Sequence, residues 1–453
     1  MTTPERVHVV GGGLAGCEAA LQLARLGHPV VLHEMRPDRP TPAHTGGGLA
    51  EIVCSNSLKS SDPGAASGLF KAELDRLGCR LLALARHAAV PAGAALAVDR
   101  ELFSRLVEEA LAATGRVTVV REAVDDLPPP GEPWIVATGP LTDPALVAAL
   151  ERVTGTAGLH FYDAIAPTVT ADSLDKDRLF RAARYGRGEA DYWNAPLDEA
   201  QYRTFVRELV AAERAAVAAF DRDELFSGCL PIEEIAAGGE MSLAFGPLRP
   251  VGLTDPRTGR RPFAVVQLRQ ENRAGTLFGL VGFQTRLRRP EQRRVFRLIP
   301  GLERAEFVRY GQLHRNFYVD TPRVLDRGFA LPGAPHVRLA GQITGVEGYV
   351  ESIASGLVTA WSLAAALRGE PLPPLPGETL LGALLHGFLF DTTAPRLSPM
   401  NVHFGLLPPP AGGPGGRRGR RERRRLLATR SLAALDAWLS HPAVAPLVGR
   451  GDG

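Results

Sequence analysis

The stretch Val7-His8-Val9-Val10-Gly11-Gly12-Gly13-Leu14-Ala15-Gly16-Cys17-Glu18 runs an apolar strand into G-x-G-x-x-G and then into an alanine-rich helix that closes at Gly27. In such an opening the first glycine permits the tight turn, the second lets the backbone approach a pyrophosphate, and the third lets helix and strand pack closely. The helix start adds free N–H groups and a positive partial charge. Gly11, Gly12, Gly13, Leu14, Ala15 and Gly16 are therefore the expected dinucleotide cradle. The next apolar run, Pro29-Val30-Val31-Leu32-His33-Glu34, sets a carboxylate 23 residues after Gly11, on schedule for an adenosine ribose. The fold class this predicts is α/β, with a Rossmann-like binding domain.

Two later segments choose the dinucleotide. Trp134-Ile135-Val136-Ala137-Thr138-Gly139 is a short strand ending in Thr-Gly. Val337-Arg338-Leu339-Ala340-Gly341 is another, followed by Gln342-Ile343-Thr344-Gly345-Val346-Glu347-Gly348-Tyr349. Both resemble signatures of FAD proteins. The second runs into a helix predicted from about Glu351 to Leu367, whose N-terminus faces the N1 and O2 edge of a flavin and stabilises the anion formed on reduction. Thr138, Gly139, Gly341, Gly345, Gly348 and Tyr349 thus join the expected FAD site. No second G-x-G-x-x-G follows a strand, so a pyridine nucleotide has no Rossmann domain of its own and can only visit.

A chain of 453 residues suits two domains, and 45% hydrophobic content is ample to bury both. The early and late glycine motifs must meet around one cofactor, so the FAD-binding domain is discontinuous, residues 1–155 plus 305–453. A smaller α+β domain is inserted at 156–304, with a helix over Glu199–Phe220 and strands over Phe263–Leu268 and Thr276–Phe283. The apolar stretch Ile353–Leu367 falls short of the roughly 20 residues a membrane span needs. With no basic-then-apolar leader, the expected location is the cytoplasm. Cys17, Cys54, Cys79 and Cys229 show neither C-x-x-C nor His-pair spacing, so reduced thiols are expected and no metal site is.

The formal net charge is only +3, but residues 415–453 hold nine arginines against three acidic residues. Arg417, Arg418, Arg420, Arg421, Arg423, Arg424 and Arg425 follow a Pro/Gly-rich linker, Leu407–Gly416, that would let a basic helix swing against a polyanion, nucleic acid being the natural one. Smaller groups of arginines lie at 178–187 and 286–294, the first beside Tyr185, Tyr192 and Trp193. Aromatic side chains among arginines can stack bases.

Two thiols sit outside apolar stripes. Cys54, in Ala50-Glu51-Ile52-Val53-Cys54-Ser55-Asn56-Ser57, reads as exposed and chemical. Cys229, in Ser227-Gly228-Cys229-Leu230-Pro231, precedes a candidate helix start that would lower a thiol pKa. The residues alone leave each of them structural or functional. Cys17 and Cys79 read as small buried hydrophobes.

Pro42-Ala43-His44, the Cys54 segment, Val90-Pro91-Ala92-Gly93, Ala97-Val98-Asp99-Arg100, Arg184-Tyr185-Gly186 and Val251-Gly252-Leu253-Thr254-Asp255-Pro256-Arg257-Thr258-Gly259 resemble the folate- and FAD-dependent tRNA (uracil-5-)-methyltransferases. So do Phe263–Gln270, Leu280–Thr285, His314-Arg315-Asn316 and Gly345–Tyr349, which extend the likeness over nearly the whole chain. Departures are Gly46-Gly47-Gly48, Trp193 and Ala195, and the arginine-rich tail. The resemblance implies formation of 5-methyluridine at uridine 54 in the T arm of tRNA, with 5,10-methylenetetrahydrofolate as carbon donor, FAD as reductant and NAD(P)H to restore it. It implies Cys229 as the thiol that attacks uracil C6, Cys54 as the second catalytic thiol, with the two roles exchangeable, and His314 as a stacking partner of the folate pterin. Two other readings are a related flavoprotein of wobble-uridine modification and a flavin-containing RNA-binding module without catalysis. The usual greater length of the former and the Cys54 segment weigh against it.

Overall fold

The structure, a computed structural model, describes residues 6–186, 189–216, 230–410 and 419–448. The opening strand Val7–Val10 lies inside a six-stranded sheet, in the order Ala330–Leu331, Ala334–Leu339, Trp134–Val136, Val7–Val10, Val30–His33 and Val117–Val120. The last five are parallel and the edge strand Ala330–Leu331 is antiparallel. Parallel strands are covered on both faces, which is why they read as nearly unbroken apolar runs. Val7, Val9, Leu32, Ile135, Val337 and Leu339 are fully buried.

Helix Leu14–Arg25 packs on helix Tyr349–Leu367 with almost no space between backbones. A Cβ on Gly356 would lie 2.2 Å from the Ala15 carbonyl oxygen, and one on Gly16 would lie 1.9 Å from that of Gly11. The later helix starts two residues before its predicted position and, at 19 residues, is long and apolar enough to cross a membrane, contrary to the length argument from sequence. Its most apolar stretch is 78% buried inside the protein, so it is a core helix, hydrophobic on every side.

A second six-stranded sheet, antiparallel throughout, runs Phe180–Arg181, Trp193–Leu197, Ala264–Gln270, Leu277–Leu280, Thr168–Thr170 and Phe307–Arg309. Its core includes Leu268, Phe278, Phe283 and Phe296, covered by Tyr202 and Phe205. Those two project from helix Glu199–Ala211, which is shorter than the predicted Glu199–Phe220: Ala212 turns to extended geometry and Arg214 bridges to Leu287. Phe220 lies outside the described residues. The second predicted strand also ends early, at Leu280, before Gly282 takes φ +79°. Between the two cores, Leu159–Ala164 pairs with Leu313–Tyr318, setting His314 opposite Asp163.

The basic C-terminal helix, Arg420–Leu439, is docked; residues 411–416 of the expected linker lie outside the described residues. Leu427, Ser431, Leu435 and Trp438 recur at helical spacing and are buried, and an inward stripe of this kind fixes a helix whatever precedes it. The Trp438 ring lies nearly parallel to Trp361, centroids 6.4 Å apart, and Asp436 accepts from Arg76 at 2.8 Å. Fully buried Glu73 accepts the N–H groups of Leu380 and Leu381, at 2.9 and 2.8 Å, and the Ser431 hydroxyl. Burial pushes this carboxyl up to about 7.

Candidate active site

The starts of the two close-packed helices open onto one cavity of about 440 Å³, lined by Gly13, Leu14 and Ala15 from one and Gly348, Tyr349 and Val350 from the other. Thr138 and Gly139 line it as well, and a smaller space of about 70 Å³ shares Gly13 and Thr138 and reaches His33, Glu34 and Glu122. A dinucleotide needs this shape, with a narrow adenosine end, a wide ring end and a helix start between them. The decisive fit is at Gly13: a Cβ there would meet nothing within 4 Å, so its missing side chain leaves open space over the helix start. Gly139 likewise meets nothing within 4 Å, whereas three other site glycines are packed. Gly12 abuts Leu49, Gly341 abuts Ala15 and Gly345 abuts Leu397.

Glu34 is 5% exposed and carries four hydrogen bonds: from Gly12 N–H at 2.9 Å, and from Arg36 through its backbone, Nε and Nη2. Burial raises its pKa, but the Arg36 and Gly12 bonds outweigh that and hold the carboxyl below the usual range. A carboxylate offers about four lone-pair sites, and in Glu34 all four are engaged. Arg36 also pairs with Glu51 at 2.9 Å, beside His44, whose imidazole is pushed down to about 4 by burial and by the Arg36 charge.

Across the cavity lies Cys54. Its backbone N–H donates to the Tyr349 hydroxyl at 2.7 Å, and its carbonyl accepts from Arg100 Nη2 at 2.8 Å. Arg100 is in turn paired with Glu271 at 2.7 Å, and Arg269 reaches Ser55 Oγ at 2.6 Å and Asn56 Oδ1 at 2.7 Å. The expected exposed thiol is therefore a half-buried one, stitched to the second sheet. Burial first, then the Asp163 charge, push it up to about 12 against the opposing pull of Arg100. Burial and nearby negative charge likewise hold Glu347 and Tyr349 well above their usual values. Cys54, Glu347 and Tyr349 thus all hold their protons more tightly than they would in water.

His314 lines the same cavity, is 8% exposed, and has an Nε2 with no hydrogen-bond partner among the described residues. Burial and the Arg309 charge push it down to about 4, so it presents a neutral imidazole. Cys17 and Cys79 are buried as expected. Cys229, Arg417 and Arg418 lie outside the described residues. Arg420, Arg421, Arg423, Arg424 and Arg425 line neither cavity; Arg424 covers the Phe404 ring at 5.4 Å. Sequence reasoning missed Asp163, Glu271 and the Arg100 contact. Arg100 stands in a family-like motif that gave it no role, and nothing in the run Phe161-Tyr162-Asp163-Ala164 marks its acid as a cavity residue.

Comparison with known proteins places this geometry. The family described as glucose inhibited division protein A matches residues 6–371. The methylenetetrahydrofolate–tRNA-(uracil-5-)-methyltransferase TrmFO of Geobacter sulfurreducens is 54% identical over 437 residues, which is 96% of this chain and 99% of that one. The chain belongs to the TrmFO family. The TrmFO protein of Moorella thermoacetica is also 54% identical, over 89% of this chain and 92% of its own. Among solved structures, GidA of Aquifex aeolicus aligns with a TM-score of 0.67 at 16% identity, covering 99% of this chain and 76% of that one; at this identity the likeness speaks to the fold, which this chain shares.

Proposed function

We propose that this chain forms 5-methyluridine at uridine 54 in the T loop of tRNA, taking the carbon from 5,10-methylenetetrahydrofolate. The observation that carries the reading is one cavity framed by two helix starts and the Gly13 opening on one side and by Cys54 and His314 on the other. Gly11–Gly16, Glu34, Thr138, Gly139 and the Gly341–Tyr349 segment would hold FAD. When bound, FAD supplies the hydride that turns the transferred methylene into methyl, and NAD(P)H restores it.

C5 of uracil is a poor nucleophile until a thiolate adds at C6, which places an enolate electron pair on C5. Once C5 has bonded to the carbon, its proton leaves to a base, the C5–C6 double bond reforms and the thiolate departs. A thiol held near 12 by burial and Asp163 is protonated at neutral pH and so is a poor C6 nucleophile, which leaves that attack to Cys229; Cys54 takes the C5 proton only as the strongly basic thiolate, after passing its own proton to the bound substrates. His314, neutral and flat at the wall, suits stacking on the pterin, with Nε2 left to accept from it. The exposed arginines of the C-terminal helix contact the tRNA backbone.

The test is incubation of the purified protein with unmodified tRNA, carbon-labelled methylenetetrahydrofolate and NAD(P)H, followed by nucleoside analysis. Labelled 5-methyluridine at position 54 is expected. Label arriving only from S-adenosylmethionine, or at another position, overturns the reading.

A further inference from the structure

After the strand Phe180–Arg181, Tyr185 adopts left-handed backbone geometry, φ 59° and ψ 21°. This is an uncommon place for a bulky residue and persists only where the surroundings impose it. Here they do. The Tyr185 N–H donates to the Gly252 carbonyl at 2.8 Å, and Arg184 Nη1 donates to the carbonyls of Arg249 and Val251 at 2.5 and 3.0 Å. A Cβ on Gly252 would lie 2.9 Å from two ring carbons of Tyr185, so the ring rests on bare backbone where only glycine fits. The tyrosine is nonetheless 57% exposed. A strained residue is thus fixed from below and displayed outward.

Its neighbours give the surface a charge. Arg181 and Arg249 are exposed and, among the described residues, form no ion pair; the loop that runs on from Arg249 past Gly252 carries the exposed Arg260 and Arg261, also without an ion pair among the described residues, while its Arg257 is held by Asp255 at 2.7 Å. The surface is also tied to the active cavity. Val281 and Gly282 belong to the cavity wall, and the Val281 N–H donates to Gln267 O at 2.9 Å. Gln267 Oε1 accepts from Arg184 Nε at 2.9 Å, so a single residue separates the wall from the Tyr185 support. Gly282 abuts Pro247, the start of the Pro247–Gly252 segment on which the ring rests.

We propose that Tyr185 and these arginines form a landing surface for tRNA, on which a base flanking the target uridine stacks while that uridine enters the cavity. The idea rests on the cavity being the methylation site. Chemistry on a base requires its extrusion from the stack, which leaves a flanking base to be caught. Aromatic faces among arginines catch bases without reading their sequence. A protein partner would need a broad apolar area or acidic complementarity, whereas this surface sets the Tyr185 ring and the part-exposed Val251 among cations.

The test compares Tyr185→Ala, Tyr185→Phe and the double variant Arg260→Ala/Arg261→Ala, all with FAD bound. Three quantities are read: affinity for unmodified tRNA, the split between KM and kcat for methylation, and tRNA-independent NAD(P)H oxidation. Tyr185→Ala is expected to weaken tRNA binding about ten- to hundredfold and to raise KM more than it lowers kcat. Tyr185→Phe is expected to match the wild type, and the double variant to flatten the salt dependence of binding. NAD(P)H oxidation is expected to stay unchanged in all three. Wild-type tRNA affinity in Tyr185→Ala overturns the proposal, as does a Phe variant as weak as the Ala variant, which would make the hydroxyl and not the ring responsible. Because affinity is read without turnover, a wild-type protein that makes no 5-methyluridine defeats the functional reading separately.

Discussion

On the helix-start side of the cavity the walls are backbone, and the tolerances there are steric: at Gly16 and Gly356 a single Cβ would collide with a carbonyl oxygen at 1.9 and 2.2 Å. On the opposite side the walls are side chains, and the tolerances are electrostatic: on top of burial, the Asp163 charge raises Cys54, Glu347 and Tyr349, and the Arg100 charge opposes it at Cys54 and Tyr349. The first wall is expected to fail by shape and the second by charge, so substitutions should separate cofactor retention from turnover.

The largest effect falls on the steric wall. Gly16→Val forces helix and strand apart and should abolish soluble, folded protein. Gly13→Val, where a side chain meets open space, should fold normally yet lose its flavin, read as a colourless protein of near-native circular dichroism. A yellow Gly13→Val protein would mean that the phosphate path runs elsewhere.

Next comes the charged wall. Cys54→Ala should keep FAD and tRNA binding while methylation falls about a hundred- to ten-thousandfold, the range for a lost general acid or base. Cys17→Ala and Cys79→Ala, deep in the first core, should stay active. Equal loss in all of them would place Cys54 in the same structural class. Arg100→Met should destabilise the protein in denaturant unfolding by less than the roughly 3–5 kcal/mol of a fully broken buried pair, because Glu271 keeps Arg269 at 3.7 Å. It should also raise the Cys54 thiol further, since Arg100 is the charge that pulls it down, and a pH profile of turnover would register that.

A smaller effect is expected from acid. His44 and His314 at the cavity and His386 elsewhere are each held neutral, down to about 4, chiefly by burial. Their unfolded counterparts take up protons near the ordinary value of about 6.5. Between those values the unfolded chain binds more protons, so stability should fall as pH drops from about 6.5 toward 4. Melting temperature against pH checks this, and His386→Phe should make the descent shallower. The smallest effect concerns the docked helix. Replacing exposed Arg420, Arg421 and Arg425 by alanine should leave flavin and melting temperature unchanged. The log-log salt slope of tRNA binding should fall by about 0.9 for each phosphate that the arginines no longer neutralise.

The two walls also differ in how far the sequence discloses them. The backbone wall was legible in order and spacing, because a tight turn and a close helix crossing demand glycine at fixed offsets from an apolar strand. Gly13 and Thr138 stand where those offsets require them. The charged wall draws Asp163, Glu271 and Tyr349 from segments far apart in the chain, and no local rule connects them. Cys54 was legible as a residue outside an apolar stripe, but not as a half-buried thiol, since its surroundings come from Arg100 and the second sheet. The C-terminal helix misled for a related reason: nine arginines and a Pro/Gly linker dominate the local impression, while the stripe through Leu427, Leu435 and Trp438 matters only once Trp361 is there to meet it.

The close crossing of helix Leu14–Arg25 with helix Tyr349–Leu367 also dictates when the protein becomes a flavoprotein. The two halves of the cradle leave the ribosome hundreds of residues apart, on the order of half a minute at ordinary rates of synthesis. Until Leu367 has emerged, the glycine turn at the N-terminus has no opposing helix, and the apolar face of the first helix needs temporary cover. The flavin is thus captured by a nearly finished chain, and fragments released before that helix should be colourless, so yellow colour in an expressing cell counts completed molecules.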